Sequence, residues 1–422
     1  MNNKKRGTVL TDLRRGGYFY YSLLELLFCA SNACNAFFVS LFTQNGIDMR
    51  YVGIILAGNS FTSFIFPPIM GLFADKIQSK RKTLTFTLSA MAIFTVLTPF
   101  CGNHFILMFL ASTLGQGFRS ASVSLAETWI LTEVSQPERD GSKINFSAIR
   151  LWGSLGFSIM CIVFYFVINV SGSPVDITFF VGSFLALIAV GFSVRGKKRE
   201  TPPAGGTAKA ISFKELKPGR LFKNYYYLTF MLVYVLLNSS MGFVQSYIPE
   251  LLRQVGGSVA LVGLVNGIRA FCEAPIMLIS PWIVKKIGYE KSLMVTGLVY
   301  VVEQFIYLIA KTPSMVLVGQ ILRGSASGIL FSSAVAYIFS LVPRSLSASA
   351  QTFAAGGANL LSMIANFLSG FLIDAFGLRS LFVVSASFQT LAVILFMITL
   401  YIGSKRKIPR YDAMLEEAIE IV

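Results

Sequence analysis

Histidine is nearly absent from this chain of 422 residues: His104 is the single one, and it falls in a polar break between two apolar runs. A histidine proton relay in the interior is thereby excluded. Cysteine is sparse as well, and Cys29, Cys34, Cys101, Cys161 and Cys272 lack the spacing of a metal site or a disulfide framework, so they read as small packing residues. Charged residues make up 13% of the chain, about half the share in ordinary soluble domains. A Walker glycine loop is missing, because GGTAK lacks its spacing, and no nucleophile accompanies a base in any motif. The polar stretch near the middle and the polar C-terminal tail are both too short for an effector domain. These gaps argue against an enzyme, against a sensor that hands its signal to an attached domain, and against a resident metal or cofactor.

What the chain has is apolar surface. Hydrophobic residues are 54% and the mean hydropathy is +0.67, more than one soluble core can hide. Twelve apolar runs, each long enough to cross roughly 30 Å of hydrocarbon as a helix, are expected at 17–42, 51–74, 83–101, 106–132, 144–170, 177–194, 225–248, 261–284, 292–310, 315–342, 350–373 and 381–402. The expectation is an all-α membrane protein with twelve transmembrane helices embedded in a lipid bilayer. Tyr225 to Tyr227 read as an interfacial belt. The net charge of +16 does not point to nucleic acid, because topology accounts for most of the 36 basic residues. Lys4, Lys5, Arg6, Arg14 and Arg15 precede the first run, Lys76 to Lys82 follow the second, a basic segment spans Arg195 to Lys223, and Lys405 to Arg410 follow the last. The opposite loops hold only Arg50, Arg253, Lys311 and Arg379. By the positive-inside rule both termini are cytoplasmic, in a multi-pass protein of the plasma (inner) membrane. The first run is too long for a cleavable signal peptide and lacks a small-residue cleavage site, so it is expected to stay as a helix.

A short word around a lone arginine occurs twice, as Gly115-Gln116-Gly117-Phe118-Arg119-Ser120-Ala121-Ser122 and as Gly319-Gln320-Ile321-Leu322-Arg323-Gly324-Ser325-Ala326-Ser327, 204 positions apart. Arginine at a bilayer centre costs roughly 2.5–3.5 kcal/mol on insertion scales, so it normally faces protein or a watery cavity. A second correspondence has a spacing of 210: Val52-Gly53 and Asp75-Lys76 around the second run match Val262-Gly263 and Lys285-Lys286 around the eighth. Asn32, Phe37 and Ser40 likewise answer Asn238, Phe243 and Ser246. Between the sixth and seventh runs RGKKRETPPAGGTAKAISFKELKPGR breaks the apolar rhythm. The chain therefore divides into an N-terminal six-helix bundle at 1–194, a cytoplasmic linker at 195–224, a C-terminal six-helix bundle at 225–402 and a cytoplasmic tail at 403–422. Two pseudo-symmetric bundles are the organisation of a secondary transporter.

The loop after the second run, GLFADKIQSKRK, resembles the signature of the major facilitator superfamily at Gly71, Asp75, Lys76, Lys80 and Arg81, with Gln78 where that family has glycine. The resemblance implies the major facilitator fold, a substrate site between the halves near the midplane, and a gating latch at these five residues that breaks as the halves rock. Glu127 in SLAETW and Arg150 in RLWGSLGF resemble the lactose permease branch of oligosaccharide, nucleoside and aryl-acid proton symporters. In that branch the matching glutamate and arginine bind sugar hydroxyls, and the aromatic at the place of Phe157 stacks on the sugar ring. Gly153-x-x-Gly156 lacks the proline that drug antiporters usually carry next, which favours uptake over export. The second half departs from the branch: Ala270, Glu303, Gln320, Arg323 and Ala326 stand where the lactose permease has a different charge set, and Glu273 lies one turn beyond Ala270. Lactose itself is therefore not the expected solute.

Four acids, Glu25, Glu127, Glu273 and Glu303, and four bases, Arg119, Arg150, Arg269 and Arg323, lie within the expected helices. Arg269 and Glu273 are spaced to pair on one helix face, whereas Arg119 and Glu127 are about 12 Å apart along theirs. Arg119, Glu127, Arg150, Phe157, Arg269, Gln320, Arg323 and Asn32 are the expected substrate-binding set, arginine supplying a planar fork of donors for polar or anionic groups. Asn32, with Asn35 and Asn238, either lines the cavity or bonds a neighbouring helix. Glu25, Glu273 and Glu303 are the expected proton carriers. The bland reading of all these charges is structural ion pairing that fixes helix register. The functional expectation is a monomeric proton-coupled symporter, driven by the proton gradient, that imports a small polar solute of the saccharide or nucleoside class, in other words sugar transport or its like. The competing readings are an organic anion (aryl-carboxylate) carrier or exporter, and a membrane sensor that binds solute without carrying it.

Overall fold

The computed structural model describes residues 16–135, 146–195, 221, 224–342 and 347–407. The basic segment before residue 16, most of the expected linker and most of the expected tail lie outside the described residues. In hydrocarbon each backbone N–H and C=O must be paired within its own segment, and helices do so. α1 comprises Gly16–Ser31, a 3₁₀ stretch Asn32–Phe37, and Phe38–Gln44; then follow α2 (Met49–Ile77), α3 (Lys80–Leu97), α4 (Phe105–Ser135), α5 (Phe146–Ser171) and α6 (Asp176–Arg195). The second series is α7 (Tyr225–Gln254), α8 (Leu261–Ile287), α9 (Tyr289–Ile309), α10 (Pro313–Leu341), α11 (Ser347–Phe376) and α12 (Arg379–Lys405). Eleven of the twelve are long and apolar enough to span a bilayer. α4 falls outside that set because Gln116, Arg119 and its serines dilute it. Leu72, Phe100, Ile106, Val170 and Phe376 are largely exposed on the helix exteriors, as side chains facing lipid are.

Contacts gather the chain into two units. The described residues of Met1–Ile47, Phe61–Glu200 and Ser258–Ala274 form one, and those of Asp48–Ser60, Thr201–Gly257 and Pro275–Val422 form the other. In the first unit α1 packs on α5 and α6, and α3 packs on α4 and α6. In the second, α7 packs on α11 and α12, and α9 packs on α10 and α12. Each pairing of the first series recurs six helices later, so the sequence repeat is also a packing repeat. The first core gathers Leu24, Phe28, Leu88, Met91, Leu125 and Trp129; the second gathers Tyr227, Phe230, Leu237, Tyr300, Tyr337 and Phe396. Tyr226 and Tyr227 are buried rather than interfacial, and Tyr227 donates its hydroxyl to the Ala350 carbonyl at 2.9 Å. The aromatic triplet suggested a belt because sequence does not show which way a helix face turns.

Lipid tails are as apolar as leucine, so these helices associate through small residues and interhelical hydrogen bonds. A Cβ on Gly156 would collide with the Leu26 carbonyl of α1, and one on Gly182 would lie 2.9 Å from the Ser31 carbonyl. Ser183 donates to the Ala92 carbonyl at 2.8 Å, tying α6 to α3, and Ser122 donates to Thr87 at 2.9 Å, tying α4 to α3.

Two local features shape the first unit. Along α1, Ser31 donates to the Phe28 carbonyl at 2.6 Å and Cys34 to the Ser31 carbonyl at 3.3 Å. Such side-chain bonds compete with the regular ladder, and the helix tightens to 3₁₀ at Asn32–Phe37. The turn after α2 places Gln78 at φ +52°, a left-handed conformation that the second repeat assigns to Gly288 at φ +85°, at the same spacing of 210. Ser79 then caps α3 by accepting from the Lys82 N–H at 3.3 Å. A left-handed residue with a Cβ costs about 1–2 kcal/mol, which explains why the family signature has glycine there. Gln78→Gly is accordingly expected to raise the thermal midpoint of the detergent-purified protein and Gln78→Val to lower it, with circular dichroism melts reading both.

Candidate functional site

The second-unit arginine has a carboxylate partner. Arg323 on α10 donates Nη1 to Glu303 Oε1 of α9 at 3.0 Å and Nη2 to the Met241 carbonyl of α7 at 2.6 Å. Both side chains of the pair are buried, at 5% and 0% exposure, and Tyr300 and Tyr307 lie within electrostatic reach of the guanidinium. One turn before it, Gln320 donates Nε2 to Gln245 Oε1 of α7 at 3.4 Å, while its own Oε1 is buried without a partner. Small residues let these side chains reach across: Gly319 packs directly on the Tyr307 ring.

Its counterpart in the first unit is not so engaged. Arg119 on α4 is 5% exposed, donates Nη1 to Gln116 Oε1 at 2.6 Å, and lies 5.6 Å from the Phe38 ring centroid. Its Nε is buried with no hydrogen-bond partner, and no carboxylate forms an ion pair with it among the described residues. The 3₁₀ stretch of α1, whose Cys34 is within electrostatic reach of Arg119, leaves the side-chain oxygens of Asn32 and Asn35 buried and unpartnered.

The other first-unit charges fall into two pairs and one single. Arg150 on α5 bonds Glu127 on α4. Arg269 and Glu273 on α8 pair at 3.2 Å, each four-fifths buried, with the guanidinium 6.0 Å from the Phe157 ring centroid. Ser158, next to Phe157, donates to the Gly267 carbonyl at 2.8 Å, so α5 and α8 meet at this level. Glu25 on α1 is buried and makes no ion pair among the described residues. Its nearest polar neighbour is Cys29, whose Sγ lies 3.8 Å from Oε1, and Arg150 is within electrostatic reach. Gly153 makes room for it, since a Cβ there would approach Glu25 at 3.1 Å.

The signature residues cluster at the turn between α2 and α3. Asp75 is exposed and makes no ion pair among the described residues, Lys76 is exposed, and Gly71 has open space around it. Lys80 donates to Thr132 at 3.1 Å and Arg81 to the Val194 carbonyl at 3.1 Å, fastening the start of α3 to α4 and α6. At the other end of α2, Arg50 pairs with Asp374 of α11, through Nε at 2.7 Å. There a Cβ on Gly53 would lie 2.8 Å from the Gly370 backbone nitrogen. The equivalent contact on α8 is at Gly263, where a Cβ would meet the Cys161 carbonyl of α5.

The sequence matches the MFS_1 like family over residues 18–384. The chain belongs to that family and is a major facilitator transporter. The transporter is 25% identical over 358 residues to the uncharacterized transporter YwbF of Bacillus subtilis, spanning 84% of this chain and 85% of that protein. It is 23% identical over 357 residues to a maltose permease of Geobacillus stearothermophilus, spanning 84% and 86% respectively. A crystal structure of a variant of the nucleoside transporter NupG shares its fold with a TM-score of 0.79 at 18% identity, over 91% of this chain and all of that one. In the transporter, the partners Gln116, Phe38, Met241, Gln245 and Cys29, and the Arg50–Asp374 pair, were not singled out from sequence. Arg50 and Asp374 lie 324 positions apart, and a backbone carbonyl such as that of Met241 carries no sequence signal at all.

Removing one member of a buried pair leaves the other charge unanswered and costs about 3–5 kcal/mol, whereas half-exposed pairs contribute about 1 kcal/mol or less. Glu303→Gln and Arg323→Gln are each expected to destabilise the transporter strongly in thermal unfolding, Glu127→Gln only slightly, and the Glu303→Gln/Arg323→Gln double variant by less than the sum of its singles.

Proposed function

We propose that the transporter is a proton-coupled symporter that imports a small polar organic solute of the saccharide or nucleoside class by alternating access. The observation that carries the coupling is the state of the three candidate acids. Glu273 and Glu303 are each paired with an arginine on the same or an adjacent helix, while Glu25 is buried with no ion-pair partner among the described residues. A carboxylate that is occluded without a counter-charge in one state and reaches Arg150 or water in another can take up and release a proton. Arg150 is bonded to Glu127, and solute hydroxyls that compete for this half-exposed pair would free the arginine toward Glu25. Phe157 offers an apolar face beside Arg269 for a sugar or base ring.

The solute class is supported by the maltose permease and nucleoside transporter likenesses and by Glu127, Arg150 and Phe157. Alternating access is supported by the glycine contacts α2–α11 and α5–α8, each joining a helix of one sequence repeat to a helix of the other. Separating these helices would break few side-chain bonds, chiefly the Arg50–Asp374 pair and the Ser158 bond to the Gly267 carbonyl. Charge asymmetry supports a cytoplasmic position, at the plasma (inner) membrane, for the turn between α2 and α3, with Gly71, Asp75, Lys76, Lys80 and Arg81, and for both termini. The protomer is proposed to act alone.

Reconstituted vesicles screened with sugars, nucleosides and aryl acids, while internal pH is followed, test this reading. One pH unit stores about 1.4 kcal/mol and at one proton per solute sustains about tenfold accumulation. Glu25→Gln is expected to abolish accumulation while solute exchange continues. If no solute moves protons and an imposed gradient drives no uptake, symport is wrong. Gly53→Leu is expected to block net transport, read as initial uptake rate, in a protein that still melts cooperatively.

A further inference from the structure

Each repeat buries an arginine at the same level of its fourth helix, and only one of them is neutralised. Arg323 has Glu303 on α9. The corresponding helix of the first unit, α3, contains no acidic residue anywhere in Lys80–Leu97, and its short extension Thr98–Cys101 adds none. Among the described residues of the first unit, Glu127 holds Arg150, Glu273 holds Arg269, and Glu25 lies nine residues before Cys34 on α1, roughly 14 Å along the axis. Arg119 is thus a buried cation, within electrostatic reach of Cys34 and against the Phe38 ring, whose one hydrogen bond goes to a neutral amide. Its Nε is buried and meets no acceptor among the described residues. Thr95 on α3 is also buried with its hydroxyl unpartnered. Gln116, accepting from Arg119 through Oε1, keeps its amide N–H groups as further donors. A buried ion without a partner costs several kcal/mol, and what the arginine lacks is an anion.

We propose that Arg119 receives a small monovalent anion, carried in as the carboxylate of an acidic solute or bound from solution as chloride. The inference deepens the transport reading and rests on it only for the first of these sources. A carboxylate would take the two-pronged fork of the guanidinium, while the unpartnered oxygens of Asn32 and Asn35 would accept from hydroxyls of the same molecule. An acidic saccharide meets both demands. Moving such an anion together with one proton transfers no net charge.

The test uses the full chain purified in detergent, in sodium HEPES medium of constant ionic strength, with the thermal midpoint as readout. The probes are sodium chloride, methyl β-glucuronide and the neutral methyl β-glucoside. Wild-type protein is expected to gain about 2 °C or more with an anion and less with the glucoside. Arg119→Gln is expected to melt above wild type in the medium without chloride or glucuronide, because it removes an unanswered buried charge, and to lose the anion response. Arg119→Lys keeps the charge and is expected to keep a response, which guards against a variant that merely folds poorly. A gain with glucuronide alone assigns the anion to the solute, and a gain with chloride that glucuronide does not exceed assigns it to the medium. The proposal is overturned if neither anion shifts the wild-type midpoint, or if the shift survives in Arg119→Gln. That failure would leave proton movement with neutral sugars untouched, whereas a silent vesicle screen beside an intact anion response would remove symport and leave the anion seat standing.

Discussion

A charge placed among apolar helices has to be answered, and most of what distinguishes this transporter follows from how each of its buried charges is answered. In the second unit the answer is internal: Glu303 and the Met241 carbonyl accept from Arg323 and tie α7, α9 and α10 together. In the first unit Arg150 and Arg269 have carboxylate partners, and Arg119 and Glu25 do not. Among the described residues the second unit thus answers its buried arginine internally, whereas the first leaves one buried charge of each sign without an ion-pair partner, Arg119 on α4 and Glu25 on α1.

The charges are tolerable because the packing around them is close. Glycines at 156, 182 and 319 bring helix backbones or rings to within a Cβ's width, which excludes lipid and water from the polar side chains beside them. Serine and threonine hydroxyls bond neighbouring helices at the same levels, as Ser183 does to Ala92 and Ser122 to Thr87. Dispersion and hydrogen bonding take the place that the hydrophobic effect holds in water. The polar interior and the tight crossings are consequently one feature seen twice.

The architecture was legible in the sequence because hydropathy reports the environment of a whole segment. All twelve helices coincide with the expected apolar runs, with α2 at Met49–Ile77 against an expected 51–74, and the recurrence of Arg119 at Arg323 is matched by the recurrence of packing partners. The Arg269–Glu273 pair was legible too, since spacing on a single helix fixes which side chains meet. Pairs between helices were not. Nothing in composition distinguishes Glu303, which meets Arg323, from Glu25, which meets no base, because the difference depends on helix rotation. The buried Tyr227 and the exposed Asp75 show the same limit. Gln78 is the reverse case: its departure from the signature was visible as a letter, and its left-handed backbone gives that letter a physical meaning.

The 3₁₀ stretch in α1 has a rotational consequence. An α-helix advances 100° per residue and a 3₁₀ helix about 120°, so the six residues of Asn32–Phe37 add roughly a third of a turn of phase. Glu25 before the stretch is directed toward Gly153 of α5, and Phe38 after it toward Arg119 of α4 and Phe179 of α6. A regular helix would present these two residues in a different angular relation. The break thus acts as a phase shifter that lets one helix address two sets of neighbours, and recoiling it to a regular helix would turn Glu25 and Phe38 relative to each other without moving either along the membrane normal by more than a few ångströms.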